Sequence, residues 1–290
     1  MMRKQLVLCS VLIAILRGGV AAADVVPLTT CGETVTDAVL TADLDCSAAA
    51  GFAVTIADGG SLDLAGHRLT GTPTDGSAGP DFSNYAFGGA IECKGGCTIS
   101  GGGGAIVSPT GMPARTEWST GVYGYRDFRR TTSARKVTTI RDVEISGWTG
   151  LAVIAKTIEM TNCTVTGNQW GVAADRKLVM DTCNVTNNAN SVSALRGVIS
   201  NSNLIDNRIG LVVGITVSLA NSVISGSLGE GVLIGRLLAT GSTITGNCVA
   251  PSFTPCADIR TNKRPRLRDS SCGTSVRLDT TDSWGKCSLD

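Results

Sequence analysis

The sequence is short of histidine, of aromatic rings and of net charge. His67 is the single histidine, which removes the imidazole pairs found in many zinc sites. A zinc reading of Cys93-Lys94-Gly95-Gly96-Cys97 would need a second ligand pair, and neither metal nor cofactor is expected. Aromatics make up 4% of the 290 residues, so a conventional aromatic-cored enzyme domain is disfavoured. Twenty-five Lys and Arg face 24 Asp and Glu, a formal charge of +1. That balance creates no global field toward nucleic acid or an anionic membrane, and polyanion binding would need a local patch. No apolar run approaches the roughly 20 residues of a membrane-spanning helix, so no span is expected.

What the chain has in quantity is glycine, 36 residues, and cysteine, 11. Residues 1–23 read as a secretory signal: Arg3 and Lys4, the apolar run Leu6 to Leu16, then Ala21-Ala22-Ala23 before Asp24. Removing that segment removes Cys9 and leaves ten cysteines in a chain bound for an oxidising, extracellular or periplasmic compartment. Their spacing predicts local disulfides Cys31–Cys46, Cys93–Cys97, Cys248–Cys256 and Cys272–Cys287. The Asn162-Cys163-Thr164 and Asn184-Val185-Thr186 acceptor patterns are read as incidental.

A repeat governs the middle of the chain. Leu69-Thr70-Gly71, Ile99-Ser100-Gly101, Ile145-Ser146-Gly147, Val165-Thr166-Gly167, Val185-Thr186-Asn187, Ile205-Asp206-Asn207, Ile224-Ser225-Gly226 and Ile244-Thr245-Gly246 share one pattern. The first place is aliphatic, the second Ser, Thr or Asp, and the third Gly or Asn. From Ile145 the steps are 20, 20, 20, 19 and 20. Gly and Asn tolerate positive φ, so the third place predicts a left-handed corner in every repeat. Ile158, Leu178, Val198, Val217 and Leu237 stand seven residues before the aliphatic anchor, and Met160, Met180, Ser200, Leu219 and Ala239 stand five before. This period of two marks strands. Such a repeat cannot hide an apolar face alone, and stacking solves that. Eight coils about 4.8 Å apart would make a rod of roughly 40 Å, a parallel β-helix. Helical repeats are too long, the leucine-rich frame is absent, and a β-sandwich has no fixed step. Cys163 and Cys183, one step apart, would be neighbours on adjacent coils, either as a disulfide or as stacked thiols.

At these residues the chain resembles the right-handed parallel β-helix family, the pectate-lyase-like superfold, particularly its secreted bacterial members of undefined role. The resemblance also rests on Cys31-Gly32-Glu33-Thr34-Val35-Thr36 with Leu40-Thr41-Ala42-Asp43-Leu44-Asp45-Cys46, on Leu62-Asp63-Leu64-Ala65-Gly66-His67-Arg68-Leu69-Thr70-Gly71, and on the ending Cys272-Gly273-Thr274-Ser275 through Trp284-Gly285-Lys286-Cys287. It covers nearly all of the expected mature chain. The expected architecture is an all-β, single right-handed parallel β-helix solenoid with disulfide-bonded caps. Its parts are a signal over 1–23, an N-terminal cap over 24–60, the helix over 61–247 with insertions at 72–136, and a C-terminal cap over 248–290. The family spans lyases, hydrolases, epimerases, adhesins and noncatalytic proteins, so the fold does not name a reaction. Polygalacturonase-like members carry Asn-x-Asp, Asp-Asp, Gly-His-Gly and Arg-Ile-Lys, of which Gly66-His67-Arg68 is the one partial echo. The epimerase Asp-Pro-His-Asp is absent. Lys263-Arg264-Pro265-Arg266-Leu267-Arg268 approximates the lyase Arg-x-Pro-x-x-Arg but follows the coils.

Candidate chemistry lies in the interrupted region. Nine of the twelve aromatics fall between Phe82 and Trp170, and solenoid insertions collect on one face that often binds ligand. Trp118, Tyr123, Tyr125, Trp148 and Trp170, with Arg126, are the expected carbohydrate-binding residues. Asp142 and Glu144 flank Val143 and would share an outer strand face about 7 Å apart, the spacing of an inverting glycosidase; with Asp127 they are the candidate catalytic carboxylates. His67 is read as a packing residue. The basic run Arg260, Lys263, Arg264, Arg266 and Arg268 is read as a solvated loop over the end of the rod, the alternative being contact with an acidic polysaccharide. The residues before the anchors, Arg68, Thr98, Glu144, Thr164, Asn184, Leu204, Val223 and Thr243, are too irregular for an ice-binding face. The expectation is a secreted protein that meets polysaccharide or a cell-surface glycan on its loop-bearing side, with catalysis and oligomeric state open. The alternatives are an extracellular lyase or hydrolase and a noncatalytic surface or adhesion protein.

Overall fold

The computed structural model describes residues 25–73, 88–110, 119–124, 136–249, 256–280 and 282–285. Among them are 23 strands and no helix. Aliphatic residues alternate with small or polar ones, a pattern that suits a pleated surface buried on one side. The strands form one parallel sheet in which each pairs with its counterpart a repeat later. Val276 and Ser283 add an isolated antiparallel bridge.

The pairings resolve into three ladders around one core. In the first, Val54, Ile91, Val122, Val153, Val172, Val192, Leu211, Val232 and Ile259 stand in register. In the second, Leu62, Ile99, Ile140, Met160, Met180, Ile199, Leu219, Ala239 and Leu267 do so. The third runs Leu44, Leu69, Ile106, Ile145, Val165, Val185, Leu204, Ile224, Ile244 and Cys272. All but Leu44, Leu267 and Cys272 are buried. Fully burying each such aliphatic side chain contributes about 1.5–3 kcal/mol. Pairing continues into both segments expected as caps, since residues 33–35 and 259–261 belong to the first ladder.

From Gly147 onward the corners are left-handed, as the third place of the repeat predicts, whereas Gly71 and Gly101 do not take positive φ. Gly147, Gly167, Asn187, Asp206, Gly226 and Gly246, each two residues after a third-ladder anchor, have φ between 55° and 79°. The frame, however, needs two corrections. Ile99 pairs with Leu62 and Ile140 on the second ladder, while Ile106 is the true partner of Leu69. The glycine-rich stretch 101–104 had disguised that repeat. The anchor of the following region is Leu204 rather than Ile205, so the short step comes one repeat earlier and Asp206, not Asn207, takes the positive φ. Two adjacent aliphatics left the sequence pattern ambiguous there. In consequence Gly197 and Ile199 face inward, and Val198, expected inside, is 44% exposed. The outer third-ladder column contains Ala105 and Asn203 where Thr98 and Leu204 were expected, and it is no more regular.

Two polar columns close the corners. The N–H of Trp148 donates to Asn168 Oδ1 (2.9 Å), that of Asn168 to Asn188 Oδ1 (3.0 Å), and that of Asn188 to Asn207 Oδ1 (3.0 Å). Each buried asparagine returns its amide to a carbonyl one repeat back: Asn168 to Ile145, Asn188 to Val165 and Asn207 to Val185. At the opposite corner the N–H groups of Cys183, Ser202, Ser222 and Ser242 donate to Ser202, Ser222, Ser242 and Ser270 Oγ at 3.0–3.2 Å. These hydroxyls in turn donate to the carbonyl two residues earlier. Cys163 and Cys183 head the same column as free, buried thiols, each directed at the carbonyl two residues before it. The stacked-thiol alternative therefore holds. The hydrogen bond with Cys163 and burial push the Cys183 thiol up, which keeps it protonated and unreactive at neutral pH.

Disulfides join Cys31 to Cys46, Cys93 to Cys97 and Cys248 to Cys256, as the spacing predicts. Cys272 is also disulfide-bonded; its expected partner Cys287 lies outside the described residues. Because serine already fills the cysteine position in later repeats, Cys183→Ser should change stability by less than about 1 kcal/mol. Cys183→Ala, which leaves a buried N–H without an acceptor, should cost about 1–3 kcal/mol. Asn188→Ala should cost at least as much, and urea denaturation of the three variants measures the order.

Candidate functional site

The expected site residues do not converge. Trp118, Tyr125, Arg126 and Asp127, like the signal segment, lie outside the described residues. Trp148 and Tyr123, expected to offer rings to a sugar, are 1% and 7% exposed, and that expectation is corrected for both. Trp148 stands in the interior column continued by Asn168, and its ring occupies space that two glycines leave open. A Cβ on Gly71 would lie 2.4 Å from the indole, and one on Gly121 would lie 3.0 Å from its Nε1. Tyr123 stacks on Phe52, ring centroids 5.8 Å apart.

Trp170 remains available. It opens the strand Trp170–Asp181 and is half-buried on the outer side of the first ladder. A 220 Å³ cavity lies there, its walls including Trp170, Ala173, Asn190, Ser193, Ile209 and Val212. Register explains the composition, since Trp170 pairs with Asn190, and Ala173 with Ser193, which pairs with Val212. Small residues between larger ones make the hollow, and the Asn190 amide and Ser193 hydroxyl supply donors and acceptors on an otherwise apolar wall. These residues carry no motif, and beyond Trp170 nothing in the sequence pattern marks them. Segments 74–87, 111–118 and 125–135, outside the described residues, adjoin strands of this same ladder in sequence.

The carboxylate pair lies elsewhere. Val143 and Ile145 are buried and Asp142 and Glu144 exposed, so the alternation is as expected, but Asp142 has φ 56°. The strand turns at that residue, and the 7 Å separation derived from an extended strand does not apply. Both carboxylates line a shallow 510 Å³ groove with Gly102, Gly103, Asn162 and Thr164, and Asn162 Nδ2 donates to Asp142 Oδ1 at 2.7 Å. This groove sits at the junction of the second and third ladders, with the core between it and the first. His67, half-buried and 3.5 Å from Asp43, stands at the same corner between the second and third ladders, one repeat before Gly102 and Gly103, but lines neither site. The described residues contain no group of three or more His, Cys, Asp or Glu side chains arranged to hold a metal.

Lys136 donates to Asp58 at 2.7 Å, and this bond, with a second from the Gly96 N–H, holds the Asp58 carboxyl below its usual range. Both partners are largely solvated, so this pair adds little to stability.

Burial, and secondarily Glu92, pushes the Tyr123 phenol up to about 12. The stability from keeping it neutral is complete below its ordinary pKa of 10.0 and is lost as pH rises through about 12. Alkaline titration of tyrosinate absorbance should therefore show one late step that Tyr123→Phe removes. Trp148→Ala should destabilise the protein by about 3–5 kcal/mol, read by denaturant unfolding. Set against known proteins, the chain matches no family model, no curated sequence and no solved structure.

Proposed function

We propose that the chain is a secreted, right-handed parallel β-helix of the pectate-lyase-like kind that binds polysaccharide on the outer side of its first ladder. The observation that carries this reading is the hollow beside Trp170. An aromatic face bordered by small residues, with Asn190 and Ser193 in reach, offers a sugar ring both an apolar surface and hydrogen bonds, the usual make-up of a small-molecule subsite. The in-register ladders and the repeated left-handed corners support the β-helix. The disulfides fit an oxidising compartment. Binding without catalysis is favoured because Trp170 and the Asp142–Glu144 pair are on different sides of the core. The groove at Asp142 and Glu144 supports a second reading, a glycoside hydrolase or lyase acting at that corner.

A glycan panel scored for retention and for unsaturated or reducing-end products separates the two. Trp170→Ala should weaken binding by roughly 30-fold, the effect of removing an aromatic anchor worth about 2 kcal/mol, and Asp142→Asn should leave binding unchanged. Product formation abolished by Asp142→Asn would establish the second reading. Absence of binding to every glycan, or unchanged binding by Trp170→Ala, would overturn the first.

A further inference from the structure

The bend between the first and second ladders carries a surface of different character. In successive repeats it is formed by Leu195-Arg196, Gly214-Ile215-Thr216, Gly235-Arg236 and Lys263-Arg264. Arg196 is in register with Thr216 and Thr216 with Arg236, and the Lys263 N–H donates to the Gly235 carbonyl at 3.1 Å, seating the last segment on the one before. The expectation of a solvated loop at the end of the basic run is corrected here. Residues 266–268 form a strand paired with Leu238, Ala239 and Thr240, which puts Arg266 and Arg268 on the outer second ladder beside the bend. Arg260 belongs instead to the first ladder, where it pairs with Glu230 at 3.0 Å.

The resulting face holds Arg196, Arg236, Lys263, Arg264, Arg266 and Arg268. The segments that form it, 195–200, 214–220, 235–240 and 262–268, contain no acidic residue. Glu159, Asp175 and Asp181 lie on earlier repeats. Asp269 follows at the next corner, 3.7 Å from Arg268. Among the described residues, Arg196, Arg236, Lys263, Arg264 and Arg266 have no ion-pair partner. This is the local patch that a chain of balanced charge needs for an anionic partner.

The same face exposes large apolar side chains: Leu195 is 42% exposed, Val198 44% and Ile215 43%. Leu195 leans over Gly214, where an added Cβ would approach its Cδ1 to 3.1 Å. A soluble polyanion would neutralise the arginines and leave these tips in water. A lipid interface takes both, apolar tips below the headgroups and cations among the phosphates. We propose that this edge docks the protein onto an anionic lipid surface, with Leu195, Val198 and Ile215 entering the interface and the basic residues at headgroup level. Four levels about 4.8 Å apart give a contact roughly 15 Å long. The inference does not depend on glycan binding, which uses a different ladder.

The test is co-sedimentation of the purified protein with phosphatidylcholine vesicles, with and without phosphatidylglycerol, at low and high salt. Binding is expected only with the anionic lipid and should weaken with salt. Arg196→Ala/Arg236→Ala/Arg266→Ala should reduce partitioning roughly a hundredfold, at about fivefold per cation. Leu195→Ser/Ile215→Ser should reduce vesicle binding at least tenfold while leaving retention on a soluble heparin matrix unchanged, and thermal unfolding confirms that each variant is folded. Trp170→Ala should bind vesicles like the parent, so failure of the glycan reading is distinguishable. Absence of binding to phosphatidylglycerol vesicles at low salt would overturn the proposal. So would vesicle binding indifferent to the Leu195 and Ile215 changes, which would assign the face to a soluble polyanion.

Discussion

Register between neighbouring repeats is the constraint on which everything else depends. Strand segments satisfy their own backbone by pairing, but every repeat must also turn its chain, and corner N–H groups face the interior where water cannot reach them. An unpaired buried N–H costs about 1–3 kcal/mol. Asn168, Asn188 and Asn207 at one corner, and Ser202, Ser222, Ser242 and Ser270 at another, accept those protons from the preceding repeat. The columns work only if each repeat delivers the same side chain to the same place. A slip of one residue would break them and would also turn each strand's inward side chains to solvent.

Because the interior is committed to this stacking, function is confined to the outer faces, and those faces are separate. The first ladder bears a hollow with an aromatic wall, the second a basic edge with apolar tips, and the junction of the second and third an exposed pair of carboxylates. Trp170 on the outer first ladder and Asp142 at the corner between the second and third cannot approach one another without crossing the core. A catalytic arrangement drawing on Asp142 and on the aromatics together is therefore unavailable among the described residues.

The limits of the sequence reading can be traced to particular residues. Trp148 looked like a surface aromatic because it belongs to the aromatic-rich stretch between Phe82 and Trp170. Its burial follows from Gly71 and Gly121, which are distant in sequence and leave space for the ring. Ile205 looked like an anchor because Leu204 beside it is equally aliphatic, and choosing between them requires knowing which residue carries the positive φ. Asp142 and Glu144 were correctly placed outside, yet their spacing was taken from an extended strand that in fact turns at Asp142. The pairings Cys31–Cys46, Cys93–Cys97 and Cys248–Cys256 were legible from short separations alone, whereas the state of Cys163 and Cys183 was not.

What the sequence alone determined is the repeat, its strand character and the handedness of its corners, since alternation and the tolerance of Gly and Asn for positive φ are properties of single residues and their near neighbours. Only the tertiary structure decided which anchors pair, which aromatics are enclosed and which charges share a face. Those outcomes depend on contacts between residues about twenty or more positions apart, where the presence of an empty volume or an adjacent cation is set by what the next repeat places there.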